Sequence, residues 1–157
     1  MVKSNSTPRL FSIKDQVILT QTDTTVGFVS QNSAALWATK SRPTTKPFIK
    51  VYNSLNSLKS THKRIPSTQK RLLRQSKKTT FIVKNEAFRI APYPVSSQIL
   101  RDLHWVFSTS ANESGKGFDE KFCISKADII IEDRDGLAEK TASKLLKINN
   151  KKIKSLR

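Results

Sequence analysis

Residues 105–115 of this chain of 157 residues have the sequence W-V-F-S-T-S-A-N-E-S-G, which indicates a strand followed by a loop. Its first three residues are bulky and apolar, which predicts a buried β-strand, and its remaining residues are small or polar, which predicts a loop. The same order occurs earlier, where the aliphatic residues 17–19 lead into the hydroxyl-rich residues 20–24. Each of these strands therefore delivers a set of hydroxyl groups into the loop that follows it.

Segments of both helical and strand-like character surround these two stretches. Asn32 or Ser33 can cap a helix that begins there, and Pro43 prevents that helix from continuing. Strands alternating with helices indicate an α/β domain. We expect one domain over 1–157, with the polar tract 53–78 as a basic, flexible excursion. The other predicted strands are 48–52, 79–83, 87–91, 127–132 and 144–148, and the other predicted helices are 69–76, 95–103 and 121–125.

The composition excludes several classes of site. One cysteine cannot form an internal disulfide, and two distant histidines do not form a metal site, so no metal centre is predicted. The four glycines fit neither a P-loop nor a dinucleotide-binding fingerprint. The sequence has no apolar run long enough for a membrane span and no apolar secretory signal at its start, so we expect a cytoplasmic protein.

Positive charge is concentrated in one part of the chain. The whole sequence has 29 Lys and Arg against 12 Asp and Glu, a formal net charge of +17. Residues 40–89 hold 14 of these basic residues and one acid, Glu86, for a local charge of +13. An anionic partner is expected from such a field. The alternative is that lysine enrichment reflects an AT-rich genome and produces only a solvated surface.

Three motifs occur in a fixed order. They are Q-T-D-T-T-V-G-F at 21–28, K-S-R-P-T-T-K-P at 40–47 and S-T-S-A-N-E-S-G at 108–115. Together they resemble the motifs of the YrdC-like threonylcarbamoyl-AMP synthases, whose usual forms are P-T-D-T-x-Y-G-L, K-x-R-P-x-x-K-P and S-T-S-A-N-x-S-G. The chain departs from that pattern at Gln21, where the family has proline, and at Val26, where it has tyrosine. The fainter resemblance of other segments extends the match over nearly the whole chain.

The resemblance implies a fold and an activity. The fold is a twisted, open, mixed α/β sheet with flanking helices and a basic concave surface. The activity joins L-threonine, bicarbonate and ATP into threonylcarbamoyl-adenylate with release of pyrophosphate, in the service of tRNA modification. A threonylcarbamoyl transferase complex receives the product, and members of the family also bind double-stranded RNA or tRNA.

The resemblance also implies residue roles. Lys40 and Arg42, one residue apart, would converge as cations on the polyphosphate. No residue is placed as a general base, and Asp23 is expected only to brace its own loop. Mg²⁺ would neutralise the departing pyrophosphate. The residues implied for catalysis are Lys40, Arg42, Ser110 and Asn112; for ATP they are these four with Thr80 and Arg157; for threonine they are Thr22, Thr24, Arg89, Ser108 and Ser143.

Plainer interpretations of the same residues stay open. Asn112 can cap a helix while Glu113 to Gly115 form a turn, and a K-x-R sequence can be a solvated pair in a basic protein. A second function on the same fold is non-catalytic binding of double-stranded RNA or tRNA through the basic segment. A ribosomal protein is a third option, which leaves the hydroxyl-rich loops unexplained.

Overall fold

Short runs of β-branched and aromatic residues form the strands, and the helices lie in the connections between them. A computed structural model describes residues 12–41, 47–61, 64–91 and 101–157. Across these ranges, nine strands form one twisted mixed sheet in the order β7-β1-β2-β6-β3-β5-β4-β8-β9, which confirms the predicted fold class. The strands are β1 (Ile18–Gln21), β2 (Val26–Ser30), β3 (Ile49–Tyr52), β4 (Thr79–Val83), β5 (Glu86–Ile90), β6 (Trp105–Ser110), β7 (Ile129–Ile131), β8 (Lys144–Ile148) and β9 (Ile153–Ser155). The helices are α1 (Ser33–Lys40), α2 (Leu55–Ser60), α3 (Lys70–Gln75) and α4 (Glu120–Lys126), with 3-10 turns at Ile13–Asp15 and Ser67–Gln69.

The sheet mixes parallel and antiparallel pairs. β1 with β7, β3 with β5 and β4 with β8 are parallel, and the other neighbouring pairs are antiparallel. Each parallel pair needs a crossover between its two strands, and α2 and α3 lie in the connection from β3 that leads through β4 to β5. Within the described ranges, no helix is both long enough and apolar enough to cross a membrane.

Successive side chains along each strand point to opposite faces of the sheet, so hydrophobic residues form a core on both faces. Ile18 packs on one face with Val51 and Val106, whereas its neighbour Leu19 packs on the other face with Phe28 and Leu36 of α1. A third cluster covers the β4–β5 half of the sheet with Leu58 of α2 and Leu73 of α3. The helices are thus held by single aliphatic anchors that are fully buried, as their exposures of 0–2% show.

Helix α1 begins and ends as the local sequence dictates. Asn32 adopts an extended conformation, and its Oδ1 accepts a hydrogen bond from the backbone N–H of Ala35, which confirms it as the N-cap. The helix ends at Lys40, since Ser41 takes a left-handed conformation with φ of 46° and its N–H bonds to the carbonyl of Trp37. This ending fixes the position of Lys40 at the C-terminus of α1.

The structure differs from the sequence-based predictions in four places. Residues 26–30, for which no element was predicted, form the fully buried strand β2. Residues 108–110, also read as loop, complete strand β6 because they pair with β2 and β3 on both sides. The tract 53–78, predicted as an excursion, folds back on the sheet wherever it is described, through α2 and α3. The basic tail adds a ninth strand at Ile153–Ser155.

The remaining predicted elements agree to within about two residues at each end, which is the usual disagreement between assignment methods. Strand β4 has the predicted bounds, and β8 does as well. The helix predicted over 95–103 lies mostly outside the described residues, and of it only 101–103 are seen to be helical.

Candidate functional site

Strand pairing brings the first and third motifs side by side. β1 pairs with β2, and β2 pairs with β6, so that Gly27 lies opposite Ser110 and Phe28 opposite Thr109. The turn between β1 and β2 therefore adjoins the end of β6, although 79 residues separate the two motifs in sequence. The hydroxyl groups of both motifs face a common space.

Gly27 is required by this close approach. A Cβ atom built at Gly27 would lie 2.9 Å from the carbonyl oxygen of Thr109 and 3.0 Å from Cγ2 of Thr22. Contacts this short with backbone force neighbouring atoms to move. The absence of a side chain at Gly27 thus lets the turn at Thr22 pack directly against β6.

The resulting cavity has a volume of about 300 Å³ and opens to solvent. Seven of the eleven residues implied by the family resemblance line it, from five different parts of the chain. They are Thr22, Thr24, Arg89, Ser108, Ser110, Ser143 and Arg157. Its remaining lining residues include Thr25, Thr109 and the apolar Phe48 and Ile49. A space of this size, lined by both polar and apolar residues, suits a molecule of amino-acid dimensions.

Local hydrogen bonds shape the turn between β1 and β2. The hydroxyl of Thr22 donates to the carbonyl of Thr25 at 2.7 Å and accepts from the backbone N–H of Thr24 at 3.2 Å. The hydroxyl groups of Thr22 and Thr24 are also 3.2 Å apart. Threonine and serine hydroxyls commonly form such hydrogen bonds to nearby backbone in turns, so residues of the motif itself stabilise this conformation. Thr22 and Thr24 are held rigidly on the cavity wall.

Arg89 carries the buried charge of the site. It comes from β5 and is 3% exposed, and its Nη2 lies 2.9 Å from Oδ1 of Asp23. Among the described residues, Nε of Arg89 and Oδ1 of Asp23 are buried without an aligned hydrogen-bond partner. Since Arg89 also lines the cavity described above, its guanidinium is a group to which an anionic ligand can bind there.

Burial shifts the pKa values of both members of this pair toward the neutral forms. Desolvation raises the pKa of Asp23 above its ordinary value, and the attraction of Arg89 offsets only part of that effect. Desolvation likewise lowers the pKa of Arg89, against the opposing attraction of Asp23. The pair is therefore held together at a net electrostatic cost, which is common for buried ion pairs.

The role of Asp23 differs from the one expected. The sequence suggested that Asp23 braces its own loop, whereas the structure places its carboxylate against Arg89, 66 positions further along the chain. No local pattern could indicate this partnership, because it depends on the β1–β2 turn lying beside β5.

The C-terminal hairpin completes the cavity. The hydroxyl of Ser143, just before β8, lies 2.8 Å from that of Thr80 in β4. Strand β9 turns the chain back along β8, so that Arg157 reaches the carbonyl of Ser143 with its Nε at 3.1 Å. The other guanidinium nitrogens of Arg157 have no partner within the described parts of the chain. Two guanidinium groups, those of Arg89 and Arg157, thus border the cavity.

Thr80, Lys40 and Asn112 lie behind the cavity wall rather than on it. Thr80 is completely buried, and its hydroxyl supports Ser143 instead of facing the space in which a nucleotide was expected. Lys40 is 5% exposed, and its ammonium binds the loop that contains Ser110 and Asn112. Arg42, the remaining residue that the resemblance implies, lies outside the described residues.

The described residues do not form a protein-based metal site. Among them, no three or more His, Cys, Asp or Glu side chains converge where they could hold a metal ion. Asp23, the carboxylate beside the cavity, is buried against Arg89.

Comparison with known proteins identifies the family. The family model described as Telomere recombination, which covers Sua5, YciO and YrdC, matches residues 12–157. The chain belongs to this family. Membership in the Sua5/YciO/YrdC family confirms the resemblance that the three motifs indicated. Among proteins of curated function, none matches the sequence significantly.

Solved structures of this family and of others share the fold. Sua5 of P. abyssi in complex with L-threonine superposes with a TM-score of 0.74 at 18% identity, over 92% of this chain and 51% of that one. YciO of E. coli gives a TM-score of 0.72 at 18% identity, over 92% and 83%. HypF in its phosphate- and nucleotide-bound form gives 0.72 at 14%, over 91% and 27%. The chain thus spans about half the length of the Sua5 chain it matches.

Proposed function

We propose that this member of the Sua5/YciO/YrdC family is a threonylcarbamoyl-AMP synthase, which forms threonylcarbamoyl-adenylate and pyrophosphate from L-threonine, bicarbonate and ATP. The observation that carries the proposal is the cavity into which five threonine-binding candidates converge: Thr22, Thr24, Arg89, Ser108 and Ser143. The solved complex of P. abyssi Sua5 with L-threonine supports the choice of substrate. In the cell the product would pass to a threonylcarbamoyl transferase complex that modifies tRNA.

The cavity offers a complement for each part of an amino acid. The guanidinium of Arg89, which lines the cavity, can donate to the α-carboxylate of threonine as a charge-assisted hydrogen bond. The hydroxyls of Thr22 and Thr24 are fixed nearby by the turn that contains them. Apolar contact with the substrate methyl group is available from Phe48 and Ile49, which also line the cavity.

The adenylation step needs positive charge and hydrogen-bond donors more than a general base. Threonine and bicarbonate first lose water to form a carbamate, whose oxygen then attacks the α-phosphorus of ATP. A P–O bond forms as the bond to the β-phosphate breaks, and pyrophosphate leaves with the electron pair. Arg157, which lines the same cavity as Arg89, can stabilise the charge that develops on the α-phosphate. The remaining acceleration comes from holding the carbamate and the nucleotide next to each other in the cavity.

The test is the synthesis itself. The purified chain is incubated with L-threonine, ¹⁴C-bicarbonate and ATP with Mg²⁺, and both labelled adenylate and pyrophosphate are measured. We expect both products in equal amounts, each dependent on all three substrates. A folded protein that binds L-threonine yet yields no adenylate at stoichiometric concentration would refute synthase activity and leave an amino-acid-binding protein.

A matched pair of serine variants links the activity to this cavity. Ser110→Ala removes a hydroxyl that lines the cavity and donates to Asn112, and we expect kcat to fall by about fivefold, since a neutral hydrogen bond contributes about 0.5–1.5 kcal/mol. Ser125→Ala removes an exposed hydroxyl in α4, outside the three motifs and the lining of the cavity, and should leave kcat unchanged. Equal effects of the two substitutions would contradict the assignment.

RNA binding is a second candidate, favoured by a separate cleft. This basic cleft, of about 710 Å³, is lined by Lys59, Arg64, Lys70 and Lys84, and none of its lining residues is acidic. If it binds double-stranded RNA, log K should fall linearly with log salt, and replacing these four residues should reduce the slope by about four. A slope unchanged by the replacements would exclude this cleft as the RNA contact.

A further inference from the structure

Lys40 lies at the C-terminus of α1, yet its ammonium reaches across to the end of β6. Its Nζ lies 2.9 Å from the carbonyl oxygen of Ser110, 2.5 Å from the carbonyl oxygen of Asn112 and 2.8 Å from Oδ1 of Asn112. An ammonium group has three hydrogens to donate, and these three acceptors match them. The side chain is 5% exposed. In this arrangement the cation of the K-x-R motif is engaged by the S-x-N motif.

Asn112 passes this contact on to the cavity. Its Oδ1 accepts from Lys40 and also from the hydroxyl of Ser110, at 2.7 Å. Its Nδ2 donates to the carbonyl of Lys116 at 2.5 Å, which closes the loop on itself. Because the Ser110 hydroxyl donates inward to Asn112, its rotation about the Cβ–Oγ bond is fixed. Lys40 thus fixes the orientation of the Ser110 hydroxyl through Asn112, without a contact to that hydroxyl itself.

Lys40 also fixes the backbone of the loop. The carbonyl groups of Ser110 and Asn112 both point at its ammonium, and in a trans peptide the N–H points the opposite way. The N–H of Ala111 is thereby directed to the carbonyl of Val26 on β2, 3.0 Å away. The N–H of Glu113 is turned away from Lys40 in the same manner. One buried cation therefore sets two peptide planes and one side-chain amide.

We propose that Lys40 is a positioning residue that acts through the Ser110–Asn112 loop, and that it does not contact the polyphosphate directly. The inference rests on the proposed synthase function, and it changes the role implied by the family resemblance, in which Lys40 and Arg42 both bind phosphates. A phosphate could recruit Lys40 only by displacing three short hydrogen bonds from a buried cation, which would leave two carbonyls and an amide oxygen unpaired.

A double-mutant cycle separates the two roles. Lys40→Met and Asn112→Ala are made singly and together, and kcat, KM and the Kd for ATP are measured for each. A positioning role predicts that each single variant lowers kcat by about tenfold or more while the Kd for ATP changes by less than about threefold. The double variant should then be no slower than the slower single variant, because Lys40 acts through Asn112.

Direct binding of phosphate by Lys40 gives the opposite pattern. Lys40→Met would then weaken ATP binding by about tenfold or more, and by the same factor whether residue 112 is Asn or Ala. Weaker ATP binding by Lys40→Met, or an equal loss with Asn and with Ala at residue 112, would overturn the positioning role. Lys126→Met is the matched control, since Lys126 is also the last residue of a helix, α4, but is exposed, and it should change neither kcat nor Kd.

A measurement on the unmutated protein does not depend on the variants being folded or on catalysis. With ¹⁵N-labelled lysine, the ammonium of Lys40 should exchange its hydrogens with water more than about tenfold slower than an exposed lysine. Its ¹⁵N resonance should stay in place when ATP is added. Exchange as fast as that of Lys126, or a shift on ATP binding, would refute the proposal. Slow exchange in a protein that makes no adenylate would refute the synthase function alone.

Discussion

Breaking the buried ion pair between Asp23 and Arg89 tests how this pair contributes to the stability of the protein beside the cavity. Arg89→Met removes the guanidinium and leaves the carboxylate of Asp23 buried without its partner, 10% exposed in the wild type. Breaking a buried pair in this way costs about 3–5 kcal/mol of unfolding free energy at neutral pH. For a domain of this size, that corresponds to a melting temperature lower by about 6–20 °C.

The loss should depend on pH, and the sign follows from the pKa of Asp23. Burial already raises that pKa in the folded protein, and removal of Arg89 takes away the attraction that opposes the rise. A carboxyl group with a raised folded pKa favours the native state at low pH and loses that contribution as the pH rises through the folded pKa. Arg89→Met should therefore be closest to the wild type near pH 4 and fall behind it toward pH 7.

The double variant Asp23→Asn with Arg89→Met tests the origin of the loss. Both charges are now absent, so the unfolding free energy should return to the wild-type value or exceed it, by up to about 4 kcal/mol. Stability is measured by urea unfolding, followed through the fluorescence of the two tryptophans, and L-threonine binding by calorimetry. Threonine binding should be lost in both variants. A double variant as unstable as Arg89→Met, or a loss independent of pH, would refute the electrostatic reasoning.

Three further predictions follow from the geometry. Gly27→Ala places a Cβ 2.9 Å from the carbonyl oxygen of Thr109, so it should lower the unfolding free energy by about 1–3 kcal/mol and weaken threonine binding; unchanged affinity would contradict this. Cys123 is fully buried with a pKa raised by desolvation, so thiol reagents should label it only after unfolding, and rapid labelling of the native protein would be inconsistent with α4 as described. Asn32→Ala removes the cap of α1 and should cost about 1 kcal/mol in urea unfolding, whereas Asn32→Asp should cost little; equal losses would rule out a capping role.

Much of the fold was predictable because its elements are short and carry clear local signals. The β-branched run at residues 79–83 has the bounds of β4, and Asn32 caps α1 as its residue type suggested. β2 was missed because its residues 26–30 include a glycine and a serine and follow a turn-like sequence. A strand buried on both faces between β1 and β6 gives no alternating pattern, so only its neighbours identify it.

The tract 53–78 illustrates a different limit. The helix predicted over 69–76 is present as α3, but the polar and basic composition hides α2, in which Leu58 is fully buried and Leu55 partly buried. Two leucines in a helix of six residues are too few to produce a helical period in the sequence. Helix α2 forms because those two side chains complete a cluster with Phe81 and Phe88 that belongs to the sheet.

The amino-acid sequence by itself determined the family, the strand-and-loop character of the two hydroxyl-rich motifs and the concentration of positive charge, because each depends on residues that are neighbours in the chain. Three contacts are seen only in the tertiary structure. They are the ion pair of Asp23 with Arg89 and the hydrogen bonds of Thr80 with Ser143 and of Lys40 with Asn112. Each of these contacts joins residues more than 60 positions apart, and the register between strands, which sequence spacing does not encode, sets their distance.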